Sequence, residues 1–276
     1  MPDERPAPRR RVLHTFTVQR TERLSPHLIR VVLGGAGFDT FVPNEFTDRY
    51  VKLLFGQPGV SYPEPFDLEA IRRDLPAEQW PTTRTYTVRR VDPAAREITI
   101  DFVYHGDEGY AGPWAASAQP GDVLRLMGPS GAYAPRPDAD WHLLAGDESA
   151  LPAIGAAIEA IPAGVPARAF ILVGSEADEQ KFDTAADVEI TWLHEGADLA
   201  AAVRAFEFLP GTVQAFVHGE AGFVADLRTY LGKQRGVAKD FLSISGYWRR
   251  GKNEDGWQAE KRETRIREEA EAAARG

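Results

Sequence analysis

Residues 141–161 read WHLLAGDESALPAIGAAIEAI, and the change of period inside that stretch decides the fold. WHLLAG is a short apolar run that stops on a glycine. After it, Leu151, Ile154, Ile158 and Ile161 recur at helical spacing. A buried strand that feeds directly into a helix is the unit of a parallel sheet covered on both faces. The alternation continues downstream. RAFILVG, VEITWLH and TVQAFVHG read as strands, with helices expected near 197–206 and 220–233. In the second of these helices Phe223, Leu227, Tyr230 and Leu231 form one apolar face.

Upstream of this stretch the period is two. VLHTFTV, LIRVVLGG, RYVKLLF, RTYTVRR, EITIDFVY and DVLRLMG lie between residues 12 and 128, separated by Gly, Pro and Asp. Six short strands with little helix between them predict a small antiparallel barrel. The proline-rich segment 56–82 interrupts them as an excursion, with one short helix expected at Leu68–Leu75. The predicted organisation is a frayed terminus at 1–11, a six-stranded barrel at 12–137, an α/β domain with a parallel sheet at 138–250, and a charged helix at 251–276. The linker is expected in APRPDAD (134–140), and only Trp257 and Ile266 are suited to anchor the tail.

Composition narrows the chemistry. The 276 residues carry 32 Lys and Arg against 41 Asp and Glu, a net charge of −9 that argues against nucleic-acid binding. There is no cysteine, which excludes disulfides, a thiol nucleophile, a thiolate-held iron–sulfur cluster and a cysteine zinc site. The histidines are scattered, so no metal site is expected. No apolar run reaches membrane-spanning length, and MPDERPAPRRR lacks the apolar stretch of a signal peptide. A cytoplasmic protein, monomeric and without membrane or nucleic-acid partners, is the expectation. GGAGFDTF (34–41) reads as a turn.

Four stretches are left to carry chemistry. In RTYTVRR (84–90), Arg84, Tyr86 and Val88 share one face of a strand while Thr85, Thr87 and Arg89 share the other. Arg84 suits phosphate oxygens, Tyr86 a flat ring, and Thr87 a ring nitrogen. A phosphorylated cofactor with a ring system fits all three, and so does a surface strand with cross-strand pairs. In DFVYHGDEGYAGPWA (101–115), three glycines precede a short helix expected at Pro113–Ala118, where free N–H groups would attract phosphate. In LLAGDESALPAI (143–154), Asp147, Glu148 and Ser149 lie at the end of a parallel strand, with Asp147 or Ser149 expected to cap the helix. In SISGYWRRGKNEDGW (243–257), Tyr247 and Trp248 precede Arg249, Arg250 and Lys252. A cationic, aromatic mouth for an anionic ligand and a basic loop paired with the acidic tail are both open readings.

Together these stretches resemble the siderophore-interacting protein family, FAD-dependent ferric-siderophore reductases of the ferredoxin-reductase-like superfamily. The likeness runs from about residue 12 to 257. It rests on Arg84, Tyr86 and Thr87; on Asp101, Phe102, His105 and Gly106; on Gly109, Trp114 and Ala115; on Gly146 to Ala153; and on Ser243 to Arg249. The resemblance implies a barrel that holds FAD and a parallel-sheet domain that meets the electron donor. For the cofactor it implies Arg84, Thr85, Tyr86, Thr87, Asp101, Phe102, Val103, His105, Gly106, Ala111, Gly112, Trp114, Asp147, Ser149 and Trp248. Gly112 stands where relatives often carry serine, so a hydroxyl contact is missing there. Lys52, Arg249 and Lys252 are the candidates for an anionic ferric siderophore. Gly174, His218, Gly219 and Glu220 are the candidates for a nicotinamide nucleotide. The acids of ILVGSEADE (171–179) lean the donor towards NADH over NADPH, with reduced ferredoxin as the other source. Two alternatives stay open: a general NAD(P)H:flavin or ferredoxin reductase without siderophore specificity, and a siderophore-binding protein without catalysis.

Overall fold

The computed structural model describes residues 12–252 together with Gly256, Trp257, Glu260 and Glu263. The expected frayed terminus at 1–11, Ile266 and most of the expected C-terminal helix lie outside the described residues. The chain divides into two compact units, Met1–Ala134 and Pro135–Gly276.

The first unit is the expected barrel. Its strands are β1 (Leu13–Ser25), β2 (Leu28–Gly34), β3 (Tyr50–Phe55), β4 (Thr82–Asp92), β5 (Glu97–Val103) and β6 (Val123–Ser130). They close antiparallel in the order β1-β2-β5-β4-β3-β6, which leaves no edge strand unpaired. The period-two pattern sends Phe16, Leu33, Val51, Leu53, Ile98 and Ile100 inward to full burial. The excursion 56–82 carries helix α1 (Leu68–Asp74), capped by Asp67, whose side chain accepts from Glu69 N and Ala70 N. Helix α2 (Ala111–Ser117) begins two residues before the expected Pro113, because proline is tolerated in a first helical turn. GGAGFDTF holds a single 3₁₀ turn at Ala36–Asp39.

The second unit is a parallel sheet of β7 (Trp141–Asp147), β8 (Pro166–Leu172), β9 (Asp187–Leu193), β10 (Val213–Glu220) and β11 (Leu242–Trp248). Their order is β11-β10-β7-β8-β9. Every residue of β7 is buried, as the continuous apolar run WHLLAG requires of a central strand. Helices α4 (Leu199–Ala205) and α5 (Ala221–Thr229) cover one face, packing Leu199, Val203, Val224 and Leu227 against Trp141, Leu143 and Ala145. Helix α3 (Leu151–Ala160) covers the other, where Ile154 comes within 3.0 Å of the space a Cβ on Gly146 would fill. The expected helix 220–233 is α5 followed by a π-turn at Tyr230–Gln234.

The chain winds outward from β7 through β8 to β9, then returns to place β10 on the other side of β7. This reversal puts a switch point between the carboxyl ends of β7 and β10, the usual place for a ligand crevice in such sheets. Trp257 anchors the tail as its sequence suggested: it is buried and packs against Gly246. Among the described residues no helix is long and apolar enough to cross a membrane.

Candidate functional site

In the barrel unit, strand β4 sets the geometry. Val88 enters the core, and Tyr86, facing the same way, lies half buried at its margin on the ring of Phe102, with centroids 4.6 Å apart. Phe102 in turn meets Trp114 of α2 at 5.6 Å. Farther along the same face, the Arg84 guanidinium lies 5.3 Å from the centre of the Tyr110 ring and donates to Thr83 O at 2.8 Å. On the opposite face Thr85 accepts a hydrogen bond from Lys52 Nζ of β3, and Thr87 is buried opposite Tyr50. One strand thus presents a cation, a ring edge and a hydroxyl row.

The loop that follows β5 brings His105 and Gly106 beside this strand's partner. The His105 ring lies 5.8 Å from that of His27. Helix α2 begins behind Tyr110 with no side chain capping its first N–H groups. At Gly112 a Cβ would stand 3.0 Å from Val103 O, so glycine there keeps the helix close to β5. Asp101 is already engaged. Its carboxylate receives Arg30 Nε at 2.7 Å and Nη2 at 2.8 Å in a two-pronged pair across the β2–β5 ladder.

In the α/β unit, the carboxyl ends of the strands gather Asp147, Ser149, Gly174, Gly219, Glu220 and Trp248. His218, one turn of the ladder below, is buried, stacks on Phe216 at 3.9 Å and meets Ser243 Oγ through Nε2 at 3.0 Å. Gly174 N donates to Glu148 Oε1 at 2.8 Å, and Ser175 Oγ to Asp178 Oδ2 at 3.1 Å. Glu220 turns its carboxylate onto the first turn of α5, accepting from Gly222 N at 2.5 Å.

The expected capping role of Asp147 or Ser149 is not what the structure contains. The N-cap of α3 is Ala150, and no side chain caps that helix. Asp147 Oδ1 accepts from Ser149 N at 3.0 Å and Ser149 Oγ at 2.5 Å, while Oδ2 accepts from Glu220 N at 2.8 Å and Trp248 Nε1 at 2.8 Å. A helix cap needs its acceptor directed at the helix's own N–H groups, and this carboxylate is turned instead toward β10 and β11. Burial pushes its carboxyl above the usual carboxylate range, and the four donors pull in the opposite direction.

All three cationic candidates have partners: Lys52 Nζ donates to Thr85 Oγ1 within the barrel, and the other two meet one acid of the tail. Arg249 Nη1 donates to Glu260 Oε1 at 2.6 Å and Lys252 Nζ to Glu260 Oε2 at 2.5 Å. The basic stretch therefore does pair with an acid of the tail, one of the two readings its sequence left open.

Three residues near the barrel site were not singled out in the sequence: Arg30, Tyr110 and Arg125. Arg30 sits in LIRVVLGG and Arg125 in DVLRLMG, at positions that alternation alone assigns to solvent. Arg125 lies 4.6 Å from the Phe66 ring and pairs with Glu64 at 2.5 Å, while its buried Nε has no hydrogen-bond partner. With Phe55, Tyr110 and Trp114 it lines a cleft of about 230 Å³. Tyr110 carried a usable signal, since it immediately precedes the glycine-flanked helix start.

Comparison with known proteins places both units. Residues 17–133 match the siderophore-interacting FAD-binding domain, and residues 139–251 match the siderophore-interacting protein domain. The ferric vibriobactin reductase ViuB of Vibrio cholerae is 33% identical over 249 residues, covering 88% of this chain and 91% of that protein. An NADPH-dependent ferric-chelate reductase of Escherichia coli is 38% identical over 146 residues, covering 53% of this chain and 56% of its own. The crystal structure of a siderophore utilization protein from T. fusca superposes with a TM-score of 0.75 at 37% identity, covering 88% of this chain and 95% of that one.

Proposed function

This chain belongs to the siderophore-interacting protein family, and from that premise we propose that it is an FAD-dependent reductase of ferric siderophores that takes its electrons from a nicotinamide nucleotide. The observation that carries the reading is strand β4. Arg84, Tyr86 and Thr87 stand in order beside an uncapped helix start, with the half-buried rings of Tyr86 and Trp114 resting on the buried Phe102. That set of groups fits FAD: a guanidinium and free N–H groups for a pyrophosphate, rings for a flat heterocycle, and a hydroxyl for its polar edge. FAD held there would supply the conversion between a two-electron hydride donor and a one-electron acceptor such as Fe(III).

The protein's own part is positioning. Arg84 and the N–H groups of Ala111 and Gly112 would hold the phosphates. Tyr86 and Trp114, backed by the buried Phe102 and by Val103, would pack against the ring, and Thr85, Thr87, His105 and Gly106 would offer polar contacts to it. Asp101 serves through Arg30, which keeps β2 and β5 in register beneath the site. The assignment of Asp147, Ser149 and Trp248 to the cofactor comes from the family resemblance. Lys52 in the barrel unit, and separately Arg249 and Lys252 in the α/β unit, are the candidates to supply positive charge for an anionic ferric chelate. Reduction lowers the charge of the ion, so hard oxygen ligands hold it less well and iron is released as Fe(II).

Gly174, His218, Gly219 and Glu220 are read as the nucleotide's grip. The three acids that follow β8, Glu176, Asp178 and Glu179, favour NADH, since negative charge there disfavours a 2′-phosphate. The E. coli relative uses NADPH, so the donor is decided by measurement, with reduced ferredoxin as the remaining source.

The test is an anaerobic visible spectrum of FAD-loaded protein, followed through additions of NADH or NADPH and then a ferric siderophore. Flavin bands that bleach with nucleotide and return with ferric siderophore, with Fe(II) trapped by a chelator, are the expected result. Protein that takes up no FAD overturns the reading. Bands that bleach but return only with a general acceptor such as ferricyanide reduce it to a reductase without siderophore specificity.

A further inference from the structure

Asp147 has no capacity left for a ligand. A carboxylate offers about four lone-pair sites, and here four donors fill them: Ser149 N, Ser149 Oγ, Glu220 N and Trp248 Nε1. The residue is also enclosed, at 7% exposure. Gly219 closes the pocket from above, because a Cβ there would come within 2.6 Å of Asp147 Oδ2. The carboxylate spans β10 to reach from the end of β7 to the end of β11, where Trp248 stands in register with Glu220. Trp248 is the opposite kind of residue. It is 39% exposed, and its single polar atom is tied down. An indole has one donor, so one bond to a buried, fully engaged acceptor fixes the direction of the ring while leaving its surface open.

We infer that Asp147 is a positioning residue. It holds the Trp248 indole rigid at the carboxyl end of the sheet, beside Gly219 and Glu220, as a flat surface for the nicotinamide ring of the donor. The inference rests on the reductase reading above and replaces two roles that the resemblance implied: Asp147 becomes a support in place of a cofactor ligand, and Trp248 serves the nicotinamide in place of FAD. Gly219 is part of the same device, since its missing side chain is what lets the carboxylate reach both neighbours. A planar, partly charged heterocycle stacks on an indole face, and it stacks best when the indole does not have to be ordered first.

Asp147→Asn replaces one acceptor by an NH₂ that must face a donor, and Trp248→Phe keeps a ring but removes the N–H. Each variant and the double variant are loaded with FAD, and FAD content and melting temperature are recorded. The rate at which the nucleotide that bleaches wild type bleaches the flavin is then measured by stopped flow. Each single change should slow bleaching about tenfold at unchanged FAD content. The double variant should be no slower than Trp248→Phe alone. Independent effects that multiply in the double variant, or a Trp248→Phe protein that bleaches at the wild-type rate, overturn the inference. If Asp147→Asn does not fold, the Trp248→Phe rate decides alone.

A second arm reads position directly. The near-ultraviolet circular dichroism difference between wild type and Trp248→Phe isolates the Trp248 band, and that band should be absent from Asp147→Asn. Its persistence there overturns the positioning even if the enzyme is a reductase. A wild-type protein bleached by neither nucleotide overturns the nicotinamide role, whatever the spectrum shows.

Discussion

Asp101 in the barrel and Asp147 in the α/β unit are both enclosed carboxylates, at 2% and 7% exposure, yet they are compensated in opposite ways. Asp101 meets a guanidinium in a two-pronged pair. Asp147 meets only neutral donors, two of them delivered by distant strands. The first arrangement depends on one cation being present. The second depends on three strand ends holding their geometry, and burial accordingly pushes the Asp147 carboxyl upward. A carboxylate of the first kind can sit under a site as structure. One of the second kind transmits any shift of its neighbours, which is why it is suited to hold a ring in place.

The largest effect should come from removing the cation. Arg30→Ala strands the Asp101 charge in the barrel wall and should cost about 3 kcal/mol. That is the low end for a broken buried pair, because Arg30 keeps 28% of its side chain in solvent. Urea denaturation measures it. In an Asp101→Asn background the same change should cost much less, since no charge is left to strand. Equal costs in the two backgrounds would break the contrast, showing that Arg30 acts through packing alone.

His142 carries the comparison to its limit, because it has neither cation nor good donors. It is fully buried on β7 opposite Gln214 of β10, and neither ring nitrogen makes a hydrogen bond of acceptable geometry. Burial holds it below the usual histidine value of 6.5, with Gln214 pulling weakly the other way. The sign follows from which state takes up the proton. Below 6.5 the unfolded chain binds it and the folded chain does not, so stability falls as the pH drops. The share from this residue between about pH 7.5 and pH 5.5 is up to about 1.4 kcal/mol. Chemical denaturation of wild type and His142→Leu at both pH values isolates it. The variant should lose less stability on acidification, and an identical loss would mean that His142 is protonated alike in both states.

Legibility from sequence followed the range of the contacts. The six barrel strands and the strand–helix alternation after residue 140 were readable because period and turn residues are local. The excursion helix was readable from its short apolar spacing, and Trp257 stood out as the apolar anchor of a charged tail. Asp147 was misread as a cap because a cap is the local explanation for an acid before a helix, and two of its four donors lie 73 and 101 residues away. Arg30 was missed for the same reason. Its acceptor is 71 residues on, and alternation within one strand says nothing about which strand becomes its neighbour. The assignments of individual residues to FAD and nucleotide came from the resemblance, whose motifs give order along the chain and not geometry.

The smallest effect belongs to the charges left in water. Arg249 and Lys252 share the Glu260 carboxylate with roughly half of each cationic side chain exposed, so screening keeps the attraction weak. If these cations also meet the anionic chelate, Glu260 competes with it. Glu260→Gln should then tighten binding of a ferric tris-catecholate by no more than about fivefold at low salt, and the gain should vanish near 0.5 M salt, where the Debye length is only about 4 Å. Fluorescence-quenching titrations at the two ionic strengths measure both quantities. Unchanged affinity at low salt would remove Arg249 and Lys252 from the anion's path and leave Lys52 on β3 as the cation to examine. A gain that survives high salt would point to a steric role for the tail, since the loss of a solvated charge cannot outlast its own screening.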